Sequence, residues 1–244
     1  MTSSKNAWAA LAVAFLVAAS ASAHAAPPRA DGPRQPLRLS NETTLTRWAG
    51  AVTGAPTFAR PSRAARRIGH LRLLTEDGFP EVYVLLSSRK QHGAWWIRLR
   101  LPQRPNNVTG WVRRRTLGPF HRVHTRLVVN SRTLRITLFK LGKRRFSAPV
   151  GMGAPGTPTP RGSFWIREKF PVGGGSIYGT RAMGTAAYSN VLTDWPGGGV
   201  IGLHGTNAPS LIPGRPSHGC IRLRNADIER LYRLTPVGTP LRIK

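Results

Sequence analysis

A mainly β fold with one short helix in the C-terminal half is what this sequence predicts, and three observations lead to it. Apolar residues come in short runs, some alternating with the period of two expected of strands. Gly, Pro and Asn punctuate the gaps between those runs. Only residues 226–234 combine helical spacing with suitable ends: Asn225 as N-cap, Asp227 and Glu229 in the first turn, Ile228 and Leu231 on one face, and Thr235-Pro236 as the stop.

Taken in order, the chain opens with Lys5, an apolar run over 7–19, and the small residues Ser20, Ala21, Ser22 and Ala23. That is the layout of a secretory signal peptide over residues 1–25. Its apolar part is short for a bilayer span, and A-x-A patterns end at Ala23 and Ala25. An uncleaved anchor is the alternative. Both place the remainder outside the cytoplasm, in the periplasm or cell wall.

Residues 26–45 are rich in Pro, Arg, Gly and Asp without periodicity, so a flexible linker is expected. Over 46–120 the runs 81–86 (EVYVLL), 94–101 (AWWIRLRL) and 109–112 (TGWV) read as strands. In the second, Trp95, Ile97, Leu99 and Leu101 alternate with Trp96, Arg98 and Arg100, which gives one strand face an apolar set. The ordering of a G-x-W strand (Gly93, Trp95) before a G-W-V strand (Gly110, Trp111, Val112) resembles bacterial SH3-like modules, which implies a small β-barrel. A junction falls near His121–His124, after which residues 121–244 form a second domain. Runs 125–129, 133–139 and 145–151 are its first strands, divided by Asn130-Ser131 and Gly142-Lys143. A loop dense in Pro and Gly follows over 153–162. The stretch 171–199, glycine-rich and carrying Tyr178 and Tyr188, reads as a long functional loop.

Charge and cysteine usage narrow the function. With 37 Lys and Arg against 9 Asp and Glu the formal net charge is +28. Nucleic acid would be the usual partner of such a chain, yet no helix-turn-helix, zinc-finger or RNA-binding signature is present, and an exported protein seldom meets nucleic acid. Anionic cell-wall polymers suit the charge better, with a compositional taste for arginine as the alternative without a partner. Cys220 is the single cysteine. A lone cysteine in an oxidising compartment forms no internal disulfide, so it is buried and inert or kept for its thiol.

The context of Cys220 is V-I-G-L-H-G-T-N over 200–207 followed by S-H-G-C-I-R-L over 217–223. A cysteine becomes a strong nucleophile when a histidine takes its proton, and His204 follows a strand-like run that would hold it rigidly. Gly219 allows a tight turn that leaves the amides of Gly219 and Cys220 for a developing oxyanion. On residue chemistry alone three readings stand: a Cys/His nucleophilic site, a zinc site from His204, His218 and Cys220, and a structural cysteine. The zinc reading lacks a carboxylate or second thiol at a known spacing.

The pattern H-G followed by S-H-G-C-I-R-L, with the Pro- and Gly-rich loop G-A-P-G-T-P-T-P-R-G over 153–162 before it, resembles the L,D-transpeptidase catalytic domain over the C-terminal half. The resemblance implies a β-sandwich or barrel-like domain, Cys220 as nucleophile, and His204 as proton shuttle oriented by the carbonyl of Gly205. It places His218 and Gly219 around the nucleophile and oxyanion, and Arg222 and Ser217 with Tyr178 and Tyr188 at the substrate. No cofactor and no metal are implied. The implied reaction acylates Cys220 with a diaminopimelate-containing peptidoglycan stem peptide, releases D-alanine, and passes the acyl group to a second stem as a 3-3 crosslink. Water as acceptor would make a carboxypeptidase, and a protein lysine would attach that protein to the wall. Carbapenem β-lactams are implied as covalent inhibitors. A non-catalytic cationic wall-binding protein is the alternative of another class. Sortases share the order His, Cys, Arg but need T-L-x-T-C, and papain-like and amidase families place Cys before His.

Overall fold

A computed structural model describes residues 35–173, 175–194 and 196–244; the expected signal peptide over 1–25 and the first part of the expected linker lie outside the described residues. Two sheets account for the strands. The first contains β1 (Leu37–Arg38), β2 (Thr46–Gly50), β3 (Ala55–Phe58), β4 (Arg67–Leu71), β5 (Val82–Gln91), β6 (Ala94–Arg100), β7 (Thr109–Arg113) and β8 (His121–Val123). Part of the stretch expected to be a linker is structured: Leu37 pairs with Ser88, and Asn41 Oδ1 accepts the backbone N–H groups of Thr43, Thr44 and Leu45.

The expected SH3-like β-barrel does not form. The strands follow the open path β4-β3-β7-β6-β5-β2-β8, with β1 against β5, and the sheet neither closes nor curls. The reason lies in β5. Its run is apolar on both faces, and both faces are used: Tyr83 and Leu85 pack into the core of the first sheet, while Val82 and Val84 enter the core of the second. A barrel of this size would turn one face wholly inward and the other to water. The alternation read in 94–101 holds for Ile97, Leu99 and Leu101, which are buried, while Trp95 at the strand start is 50% exposed. Trp96, on the opposite face, is buried with Phe58, Ala65 and Trp111.

The second sheet contains β9 (Thr125–Asn130), β10 (Arg135–Lys140), β11 (Lys143–Pro149), β12 (Gly151–Gly153), β13 (Gly162–Pro171), β14 (Arg181–Tyr188), β15 (Val200–His204), β16 (Gly214–Ser217), β17 (Ile221–Arg222) and β18 (Pro240–Ile243). Its path is β11-β10-β9-β18-β13-β14-β15-β17-β12-β16, and it forms a half-barrel. Most pairs are antiparallel; β18 runs parallel to β9, β15 to β17, and β12 to β16. Helix α1 (Asn225–Leu234) buries Ile228 and Leu231, and among the described residues no helix is long and apolar enough to cross a membrane.

Two sequence expectations change here. The stretch 171–199 is not one loop, because β14 runs through it as a buried strand between β13 and β15. Its residues Ala182, Gly184, Ala186 and Ala187 are too small to announce a strand by hydrophobic pattern, and they suit the close approach of a neighbour: a Cβ on Gly184 would meet the Glu168 side chain at 2.2 Å. Asn225 is not the N-cap of α1. Arg224 holds that position without a side-chain bond, and Asn225 Oδ1 instead accepts the N–H of Thr206 at 3.0 Å.

The sheets are joined by polar as well as apolar contacts. Trp165 Nε1 donates to the carbonyl of Val82 at 2.8 Å, and the fully buried Arg167 on β13 pairs with the fully buried Glu81 before β5. Removing one partner of such a pair strands a charge and typically costs about 3–5 kcal/mol. Conversion of both to apolar residues would cost far less, so the pair enforces this docking more than it adds stability.

Candidate active site

Cys220 and His204 are brought together by strand register. β15 and β17 are parallel neighbours in which Leu203 pairs with Ile221 and His204 with Arg222. Cys220 therefore falls opposite Gly202, whose N–H points at its sulfur with N···Sγ of 3.4 Å. Both residues line a cleft of about 200 Å³, together with Arg222, Ser217, the exposed His218 and Tyr178. Its remaining walls come from Ile177, Ser189, Leu192, Gly199, Val200 and Ile201.

His204 is 3% exposed. Its Nδ1 lies 2.6 Å from the carbonyl oxygen of Gly205. A carbonyl can only accept, so Nδ1 carries the hydrogen and Nε2 keeps its lone pair. Burial holds the imidazole down to about 4; the Gly205 bond works against that shift and the Arg222 charge adds to it. Burial pushes the Cys220 thiol up, while the Gly202 N–H and the Arg222 charge pull it down. Near neutral pH the pair thus rests as thiol and neutral imidazole. The Tyr178 ring meets the imidazole edge-on at 4.9 Å between centroids. A Cβ on Gly205 would meet Asn225 Oδ1 at 2.2 Å, so the H-G pair reflects a loop packed directly on the α1 terminus.

The turn carrying Cys220 is pinned from several sides. Ser217 Oγ donates to the Cys220 carbonyl at 2.6 Å and accepts the Gly219 N–H at 3.1 Å. The Gly219 amide is therefore engaged within the turn. Gly219 has φ of +127°, and an added Cβ would lie 2.8 Å from Ile201 Cδ1, so the position requires glycine on both counts. The Thr159 hydroxyl, in the loop before β13, donates to the Gly219 carbonyl and accepts the N–H of Gly153, at 2.8 and 2.9 Å. Thr157 and the amide of Ala154 both bond the Ser217 carbonyl. The sequence marked this loop for its prolines and glycines; its threonines are what reach the turn.

Of the residues expected at the substrate, Tyr188 is placed elsewhere. It is buried at 5% exposure on β14, and its hydroxyl joins Glu76, Arg72 and Arg167. It does not line the cleft. A tyrosine that ends a buried strand beside an ion cluster satisfies its hydroxyl there, and sequence spacing cannot distinguish that from a loop tyrosine. Arg222 does line the cleft, and its Nε is buried without a hydrogen-bond partner. Among the described residues no group of three His, Cys, Asp or Glu could hold a metal ion.

With this geometry in view, the chain can be set beside known proteins. Residues 124–243 match the family model described as the L,D-transpeptidase catalytic domain. The protein named L,D-transpeptidase YkuD from Bacillus licheniformis is 36% identical over 115 residues, which cover 47% of this chain and 61% of that one. YbiS of Escherichia coli, named an L,D-transpeptidase, is 31% identical over 48% of this chain and 44% of its own length. The chain thus spans well under two thirds of these relatives. YqjB of Bacillus subtilis, named likewise, is 31% identical over 124 residues, and the chain covers 67% of it. A solved L,D-transpeptidase from Mycobacterium smegmatis superposes on 62% of the chain and 90% of its own, with 17% identity and a TM-score of 0.41. The matched region begins where β9 begins and ends on β18, so it encloses the half-barrel and the whole Cys220 turn. This chain belongs to the L,D-transpeptidase family.

Proposed function

We propose that the protein is a peptidoglycan L,D-transpeptidase acting outside the cytoplasm, with Cys220 as nucleophile and His204 as general base. The observation that carries this reading is the fixed tautomer of His204 beside the lone thiol: the Gly205 carbonyl occupies Nδ1–H, and Nε2 is left to take a proton. In the first half-reaction the Sγ–H proton moves to Nε2 as sulfur attacks the carbonyl carbon of the donor stem. The C–N bond to D-alanine then breaks, its amine takes the proton from Nε2, and a thioester remains on Cys220. An acceptor amine attacks the thioester, its proton passes through Nε2, and the thiol is regenerated. With the Gly219 amide engaged by Ser217, the Cys220 amide is the turn's donor for the oxyanion.

Two cleft features suit a stem peptide. Ile177, Leu192, Val200 and Ile201 offer an apolar wall, and Arg222 offers a cation to a substrate carboxylate. A second stem as acceptor, giving a 3-3 crosslink, is the reading favoured over water or a protein lysine.

Incubation with a carbapenem should add one drug mass to the wild-type chain and none to Cys220→Ala, and purified disaccharide tetrapeptides should yield crosslinked dimers. An unmodified wild-type mass would overturn the assignment of the nucleophile, and release of D-alanine without dimers would overturn the acceptor.

An anionic wall polymer is the second partner we infer. Arg63, Trp95, Arg113, Arg114 and Arg115 line a groove of about 450 Å³ on the first sheet, and among the described residues none of these arginines pairs with a carboxylate. The Arg63→Gln/Arg115→Gln variant should co-sediment about tenfold more weakly with wall material at low salt, and with a shallower salt dependence. Equal sedimentation of both proteins with intact wall would reject the groove as the site, and undiminished wild-type sedimentation with wall stripped of its anionic polymers would reject the polymer as partner.

A further inference from the structure

The cleft has one wall that its own sheet holds only in part. Ser189, Leu192 and Gly199, between β14 and β15, face Cys220 and His204 across the cleft. Within the segment the Ser189 N–H donates to the Gly199 carbonyl at 2.8 Å, and Ser189 Oγ accepts the N–H groups of Val191 and Leu192 at 3.2 and 3.0 Å. Further ties come from the loop after β6, in the first sheet. Arg104 Nε donates to the Ser189 carbonyl at 3.0 Å, and its Nη2 donates to the carbonyls of Leu192 and Gly198 at 3.3 and 2.8 Å. Asn106 takes the Tyr188 N–H on Oδ1 at 3.0 Å. Its Nδ2 donates to the Tyr188 carbonyl at 2.7 Å and to Asn190 Oδ1 at 3.1 Å. The Arg104 guanidinium also lies over the Tyr188 ring at 5.0 Å, and the Tyr188 hydroxyl is fixed by Glu76 and Arg72.

We infer that Arg104 and Asn106 are positioning residues for the catalytic cleft: the first sheet sets the wall formed by Ser189, Leu192 and Gly199, and thereby governs admission of a bulky acyl donor to Cys220. One guanidinium gathers carbonyls from both ends of the segment, a task that suits a planar fork of donors on a long arm. A backbone segment with few apolar contacts and so many carbonyls directed at one cation loses its shape when that cation is removed. Cys220 and His204, held by β15, β17 and the Thr159 loop, do not depend on it. This inference makes Tyr188 a platform for the clamp, and makes the first sheet more than a spacer. Only its statement about turnover rests on the transpeptidase reading.

The test uses the full-length chain with Arg104→Ala, Arg104→Lys and Asn106→Asp. In Arg104→Ala, amide hydrogen exchange at 189–192 and 198–201 should quicken at least about tenfold, with β9 to β11 unchanged. Acylation by a carbapenem, or KM for the stem peptide, should worsen about fivefold to tenfold while kcat and alkylation by iodoacetamide stay within about twofold. Arg104→Lys should fall between the two, since an ammonium keeps the charge without the fork. Asn106→Asp keeps the acceptor for the Tyr188 N–H and should give a milder form of the same pattern, which covers the case of an unstable Arg104→Ala. Unchanged exchange at 189–201, or an equal loss with iodoacetamide and carbapenem, would overturn the inference. An enzyme without stem-peptide activity leaves the exchange and labelling results to decide it.

Discussion

The two sides of the cleft are built to different rules. On one side, the turn over 217–220 and His204 are held within the matched half-barrel: β15 against β17, Ser217 across its own turn, and Thr159 beneath. On the other, the segment that carries Ser189, Leu192 and Gly199 is held by Arg104 and Asn106, from a sheet outside the residues the family model matches. On the proposed reading the first side carries the groups that move protons and electrons, and its turn is pinned by the bonds of Ser217 and Thr159. The second carries shape. Under that reading chemistry is intrinsic to the half-barrel, whereas access to it is set by the sheet docked alongside.

The largest effect should follow from breaking the first side. Loss of the imidazole in His204→Ala removes the general base and should slow carbapenem acylation about a thousandfold, in the range general-base catalysis supplies. His218→Ala, at an exposed position on the cleft rim, should cost less than about tenfold. Rates from intact-mass time courses settle it, and similar losses in the two variants would mean that the Gly205 bond does not single out the base. Unlike changes at Arg104, loss of His204 should slow small and large electrophiles alike. That contrast separates chemistry from access.

How much of this was legible in the sequence follows the same division. The chemical side was readable because its determinants are contiguous or stereotyped: His204-Gly205, the S-H-G-C turn, and strands with clean alternation such as β9 and β10. The other side was not. The bonds of Arg104 and Asn106 span 82 to 94 positions, and nothing local to an arginine in an arginine-rich chain says which carbonyls it will meet. The strand β14 was missed because small residues pack it where hydrophobic bulk was sought. The glycine-rich sequence around Tyr188 reads as loop, which puts the tyrosine at the substrate, and Asn225 reads as a cap because caps are the common use of asparagine at that place. The barrel expectation failed on β5, whose apolar run was taken as one strand of a self-contained domain when its second face is part of another core.

A finer test concerns the protonation state on the chemical side. With the thiol pushed up and the imidazole held down to about 4, both by burial, the resting pair is neutral and the proton moves only as sulfur attacks. Acylation should then vary by less than about threefold between pH 5 and 8, and fall about tenfold per unit below pH 4 as Nε2 is protonated. A preformed thiolate–imidazolium pair predicts something else: an acid limb at the thiol's own depressed pKa and a loss at the imidazolium's raised one. Linkage supplies the control. Because the folded pKa of His204 lies below its ordinary value of 6.5, its contribution to stability is complete above pH 6.5 and is lost as pH falls from 6.5 through 4. The acid limb must therefore be measured with the fold monitored by circular dichroism, and with His204→Gln alongside, which has no imidazole to protonate and should lose less stability over that window. A wild-type profile that also falls on the alkaline side, as a raised imidazolium pKa requires, with the fold intact would show that the pair is ionised at rest, and the distinction between a neutral, buried chemical side and an adjustable wall would have to be redrawn around an ion pair.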